Sequence, residues 1–254
     1  HRRMPPCRGI FRLKIQGRSA HAQYPGLGED ALVLGRELLG LLRASGDVRV
    51  LAVDAGEAAN RVPARCELVV ATSYDHLPPL PAGVRAEAVG DGEALPFPVD
   101  DLVEAWFAAR DAAAAITAEP PRDAVRPRIH VWEHTGWLTS GRDLIAGAIS
   151  VWVGPGTDAR AVVEPMAAAM QRALQGREEL ELELEVVQDR PALVPTPCDD
   201  PLVAAARRAL NDAGIPPVIT GGRVTSDAGL VQEIGVPTFA FGPGRSGADL
   251  YRDD

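Results

Sequence analysis

Within its first 72 residues the chain changes hydrophobic period twice, and this restricts the fold more than any other feature. Residues 10–16 (IFRLKIQ) alternate apolar and polar side chains, the pattern of a strand with one buried face. A stretch rich in Gly and Pro follows, GRSAHAQYPGLGED, which reads as a loop. Residues 30–43 (DALVLGRELLGLLR) then space their apolar side chains for a helix, with Glu29 or Asp30 at the end that favours a negative charge. The period returns to two at 48–54 (VRVLAVD) and 65–72 (RCELVVAT). Such an order cannot bury its apolar faces as a helical bundle or as an all-β sandwich; it asks for helices packed on a sheet.

Further along, 77–98 is dense in Pro and Gly and reads as loop, 101–116 (DLVEAWFAARDAAAAI) as a helix and 128–134 (RIHVWEH) as a strand. Residues 148–153 (AISVWV) read as a strand and 158–174 as a helix that Pro165 distorts. Strict alternation at 179–187 (ELELELEVV) predicts a strand with one wet face. Setting residues 74–145 aside as an insertion leaves strands and two helices that read as a split βαβ sheet with both helices on one face. Past Pro191 the texture changes: a helix at about 200–212, capped by Asp199 or Asp200 and stopped at Gly214, and a short apolar strand in 235–244 (GVPTFAFGPG). The fold class is therefore α/β, with a boundary near residue 190 separating 9–190 from 191–254.

Composition excludes some functions. With 46% hydrophobic and 24% charged residues the chain can build a core. Its formal charge of −9 and lack of a basic stripe argue against nucleic acid. Cys7, Cys66 and Cys198 form no CxxC pair, and their odd number disfavours a disulfide framework. No apolar run reaches the roughly 18 residues of a membrane span, and no secretory signal is visible. The chain begins with His1 rather than Met and both ends read as cut, which leaves room for a lost targeting segment; a cytoplasmic location is the default expectation.

Three segments read as functional loops: Gly17-Arg18-Ser19-Ala20-His21-Ala22; Asn60-Arg61-Val62-Pro63; and Gly221-Gly222-Arg223-Val224-Thr225-Ser226-Asp227, followed by Phe241-Gly242-Pro243-Gly244. In this order they resemble the zinc-dependent family of acetylornithine deacetylase, succinyl-diaminopimelate desuccinylase, aminoacylase and glutamate carboxypeptidase. The resemblance covers about 9–72 and 146–254. It implies a split βαββαβ, ferredoxin-like lid domain that also forms a homodimer, followed by the C-terminal segment of an α/β zinc-hydrolase catalytic domain. The implied activity is cleavage of amide bonds in N-acyl amino acids or small peptides.

The residues support roles beside plainer alternatives. An imidazole N–H at His21 can donate to a developing oxyanion, which the resemblance implies in the partner subunit's site; otherwise it is a surface-loop histidine. Asn60 offers a donor and an acceptor to a substrate carboxylate or carbonyl, or is a turn residue. Asp227 orients substrate, or caps a helix over 228–233. Gly242 and Gly244 let backbone approach a ligand, or form a turn.

The sequence also departs from the family. Most implied zinc ligands would lie upstream of His1, and Asp249 stands where the last ligand His is expected. Trp152 stands near the place where the family often carries an Arg, and a missing guanidinium weakens bidentate carboxylate binding. His130 and His134 share a face about 13 Å apart if 128–134 is a strand, too far for one metal. The expectation is thus a fragment of a zinc hydrolase that is inactive alone; the alternative is a non-catalytic relative serving as a binding or dimerisation module.

Overall fold

A computed structural model describes residues 8–22, 25–73, 75–89, 99–118, 129–130, 134–140, 144–153, 159–219 and 227–241. The first alternating segment forms β1 (Gly9–Gln16), the helical pattern forms α1 (Ala31–Ser45), and the next two alternating segments form β2 (Val48–Ala55) and β3 (Arg65–Thr72). β3 lies between β1 and β2 and is antiparallel to both, so β1-α1-β2 is a split βαβ unit, as the periods require. Phe11, Leu13 and Ile15 of β1 are buried against Leu32, Leu38, Leu39 and Leu42 of α1.

The segment 74–145 does not stand apart from this unit. It supplies β4 (Val84–Val89), α2 (Val99–Ala115) and β7 (His134–Ser140), and the sheet runs in the order β4-β1-β3-β2-β7-β8, with β8 at Ile145–Val151. Val99, Val103, Trp106, Phe107 and Leu138 share one core with the residues of β1 and α1. Residues 84–89, expected as loop, are a strand because β1 offers a free edge. There Glu87 accepts from Arg12 at 2.9 Å and Lys14 at 3.3 Å, contacts that local propensity cannot report. The strand expected over 128–134 divides: β6 (Ile129–His130) pairs with β5 (Thr117–Ala118), while His134 opens β7 in the large sheet.

Helices α1 and α2 are joined by charge. Arg36 grips Asp111 through two bonds of 2.9 and 2.7 Å, and Arg43 reaches Asp100 and Glu104 at 2.7 and 2.6 Å. The Asp100 carboxylate also accepts from Val50 N at 2.9 Å, next to the register shift between Val50 and Ala52 in β2. A buried pair completes the joint: Arg110 Nη2 donates to Asp30 at 2.5 Å, with side chains only 8% and 15% exposed. The same Asp30 caps α1 by accepting from Leu32 N and Val33 N. Helix α3 (Ala159–Ala173) runs through Pro165 and packs Val162 and Met166 against Ala109 and Ala113 of α2.

The C-terminal part differs. Helix α4 (Pro201–Asp212) has its Asp200 cap and its positive-φ Gly214 as the sequence indicates. Residues 179–187, predicted as a strand, form no strand and pair with no strand among the described residues: alternation alone makes no strand without a neighbour for its backbone groups, and Leu184, Val186 and Val187 stand exposed. Of the strand expected in 235–244, residues 242–244 lie outside the described residues, and 235–241 pair with no strand among the described residues. Here the Gln232 amide substitutes for a ladder, accepting from Val194 N at 2.8 Å and donating to Val194 O and Thr238 O. Ile215, Val218, Ile219, Val231, Ile234 and Phe241 are exposed, so among the described residues this part builds no core of its own.

Two expectations follow. Asp30→Ala strands a buried guanidinium and removes a cap, and should cost about 3–5 kcal/mol in urea unfolding. Asp30→Asn keeps the cap and should lose mainly the ion-pair part. Separately, burial, aided by the Asp30 carboxylate, pushes the Cys66 thiol far above its ordinary range. Cys66 should therefore resist alkylation at neutral pH until the chain unfolds, whereas exposed Cys198 should react at once, as a mass-resolved iodoacetamide time course would show.

Candidate functional site

Two of the loops singled out in the sequence meet at one end of the sheet. Gly17 leaves β1 with its amide on Ala64 O at 2.8 Å. Arg18 and Glu29 then exchange both backbone bonds, at 2.9 and 2.8 Å, closing the base of the loop. Only glycine fits at the start: a Cβ on Gly17 would lie 2.1 Å from Glu29 O, and one on Gly28 would lie 2.8 Å from Arg18 O. Beyond the base, Ala22 N donates to Asn60 O and Val62 N to Ala20 O, both at 2.9 Å.

That second pattern fixes side-chain direction. Bonds on either side of His21 and Arg61 make them a non-hydrogen-bonded antiparallel pair. Such pairs have the closest Cα approach, about 4.5 Å, and send both side chains to one side. The neighbours Ala22 and Val62 turn the other way and are buried. Arg61 is exposed and has no acidic partner among the described residues; Glu57, the carboxylate of its own loop, is held by Arg65 at 2.6 Å.

On the far side stands Trp152. Val151 and Val153 pack toward α3, so alternation turns Trp152 to the opposite side. Its indole meets the His21 imidazole edge to face, with centroids 6.1 Å apart and planes at 85°. Strands β1 and β8 are four places apart in the sheet, about 19 Å at the usual spacing of roughly 4.8 Å. The loop 17–29 thus carries His21 across the strand ends to reach Trp152. His134, paired with Val151, begins β7 at this same end.

The structure therefore brings the segments of His21 and Asn60 together. Asn60 joins through its carbonyl, and its exposed carboxamide makes no hydrogen bond among the described residues. Arg61, which was not singled out for a role, is the side chain placed beside His21; its signal was its position opposite a histidine in a pairing that sequence does not reveal. Asp227 occupies the cap position of α5 (Ala228–Glu233) but makes no side-chain cap bond, and pairs instead with Arg190 at 2.9 Å. Gly242, Gly244 and Asp249 lie outside the described residues. Among the described residues no three His, Cys, Asp or Glu side chains form a group that can hold a metal ion. No described helix is long and apolar enough to cross a membrane.

Gly17→Ala should open the base of the loop, while Gly26→Ala, with nothing within 4 Å of the added carbon, should leave it closed. Hydrogen exchange at the Ala22 and Val62 amides would read the difference, with faster exchange in the first variant only.

Residues 9–78 match the family model of a peptidase dimerisation domain. Among solved structures, a tripeptidase from Staphylococcus aureus is 15% identical over 90% of this chain and 41% of its own, with a TM-score of 0.24. Aminopeptidase PepT from Bacillus cereus is 14% identical over 90% of this chain and 41% of its own, with a TM-score of 0.23. A protein described as an aminohydrolase, from methicillin resistant Staphylococcus aureus, is 26% identical over 26% of this chain and 21% of its own, with a TM-score of 0.24. At these TM-scores the likeness in overall shape carries no weight. The chain spans 41% or less of the length of these proteins. No curated protein matches it.

Proposed function

We propose that this chain is part of a metal-dependent hydrolase that cleaves amide bonds of N-acyl amino acids or small peptides, and that it carries the lid and a C-terminal piece of the catalytic domain. The observation that supports this best is the pairing of the His21 and Asn60–Pro63 loops within the stretch that matches a peptidase dimerisation domain. A loop pinned by backbone bonds at its base and its tip holds an imidazole in a fixed place, which is the preorganisation an oxyanion donor requires. His21 would donate an N–H to the tetrahedral intermediate, and Asn60 would bind a substrate carbonyl or carboxylate. In the resembling family zinc activates the attacking water; the ligands for it would come from residues other than those described here, with Asp249 as one candidate.

The exposed apolar residues of 191–241 support the second half of the reading. Alternating, unpaired segments with uncovered Val, Ile and Phe side chains are what a piece of an α/β domain presents when the rest of its sheet lies elsewhere. A homodimer through the lid fits the match to a dimerisation domain, and would let His21 of one protomer serve its partner's site.

The tests separate these claims. With zinc added, this chain alone should not turn over N-acetyl amino acids or small peptides, and a longer version restoring upstream sequence should. In the longer protein His21→Ala should lower kcat by about 10²–10³-fold with KM little changed. Turnover by the short chain would overturn the fragment reading; no turnover by either would favour the non-catalytic alternative. Sedimentation should show a dimer, and a strict monomer at high concentration would remove the role in trans.

A further inference from the structure

We infer that Arg61 and Trp152 frame His21 as a recognition site for a small molecule that carries a carboxylate next to an apolar or aromatic group. This rests on the hydrolase reading above, and names the substrate class that reading leaves open: N-acyl derivatives of apolar amino acids, or dipeptides ending in one, rather than acidic or basic substrates.

Three observations carry it. First, the antiparallel pair puts Arg61 beside His21 with both side chains on one side. Second, Arg61 is open to a ligand: it is exposed, and the carboxylate in its own loop is bound to Arg65. In a protein with 35 acidic and 26 basic residues, an arginine beside a histidine and without an acidic partner among the described residues is a place where an anion binds with little competition. The guanidinium fork matches a carboxylate in two bonds, which fixes the ligand's orientation as well as its charge. Third, Trp152 stands half-buried against the imidazole and supplies a flat apolar wall beside it. An indole there favours a ring or branched aliphatic group, and brings no cation to a second carboxylate.

The cation comes from the β2–β3 loop, and the β8 end forms the apolar wall. Trp152 additionally positions the imidazole: an edge-to-face contact between rings restricts the rotation of a side chain carried on a long loop.

Binding tests this without catalysis. The chain as it stands is titrated with N-acetylphenylalanine while the His21 imidazole signals, assigned through His21→Gln, are followed by NMR. Saturable shifts are expected with N-acetylphenylalanine, and none with N-acetylphenylalaninamide or with acetate. Arg61→Ala should weaken binding about tenfold or more, Arg61→Lys less, and Trp152→Ala should erase the preference for N-acetylphenylalanine over N-acetylalanine. Because Arg61 is exposed, its variants should unfold at the parent temperature, which shows that any loss is not one of folding. Equal binding of the amide, no saturable shift, or an Arg61→Ala variant that binds like the parent would each overturn the inference. Binding as expected with no hydrolysis by the longer protein would leave the inference standing and remove the hydrolase reading. Hydrolysis whose KM ignores Arg61→Ala would do the reverse.

Discussion

The Asp30 carboxylate is the joint on which the rest of the molecule turns. One oxygen takes the amides of Leu32 and Val33 at the start of α1, and the other takes the guanidinium of Arg110 from α2. The next free amide of the helix, that of Ala31, goes to Pro63 O in the β2–β3 loop. One short stretch thus satisfies the open end of a helix, neutralises a buried cation and anchors the loop that carries Arg61. The residue before it, Glu29, closes the loop that carries His21. Helix packing and site geometry therefore share one fixed point, and a change at Asp30 reaches both.

Around that joint the balance of forces is ordinary. The sheet buries one side under α1 and α2 through Leu, Val, Phe and Trp side chains, and this apolar contact supplies most of the stabilisation. The ion pairs on its other face, Arg12 with Glu67 and Glu87, are exposed and add little. They do decide which strand occupies the edge, because Glu87 meets Arg12 and Lys14 in a single register. The arginine links between α1 and α2 likewise fix the relative placement of two helices more than they hold them together.

The first half of the fold was readable because its periods are local. Residues 10–16, 30–43, 48–54 and 65–72 each carry their own pattern, and the structure turns each into the expected element within a residue or two at either end. Segments whose state depends on a distant partner were not readable. Residues 84–89 have weak strand character and became a strand because β1 offered an edge. Residues 179–187 have strong strand character and stayed unpaired because no neighbour among the described residues takes their backbone groups. At the site, His21 and Asn60 were legible as members of motifs, whereas the positions of Arg61 and Trp152 against His21 were not.

By itself the sequence determined the split βαβ unit, the helix starts at Glu29 or Asp30 and at Asp199 or Asp200, the buried face of β1 and the loops that carry His21 and Asn60. All of these rest on interactions between residues close in the chain, or on a periodicity that any core must respect. Only the tertiary structure decided that β7 joins the sheet and α2 packs on it, that Arg110 lies under Asp30, and that an arginine and a tryptophan 91 positions apart in the sequence both stand beside one histidine. Those placements depend on strand order and on which backbone groups find partners, and neither is written in the spacing of residues along the chain.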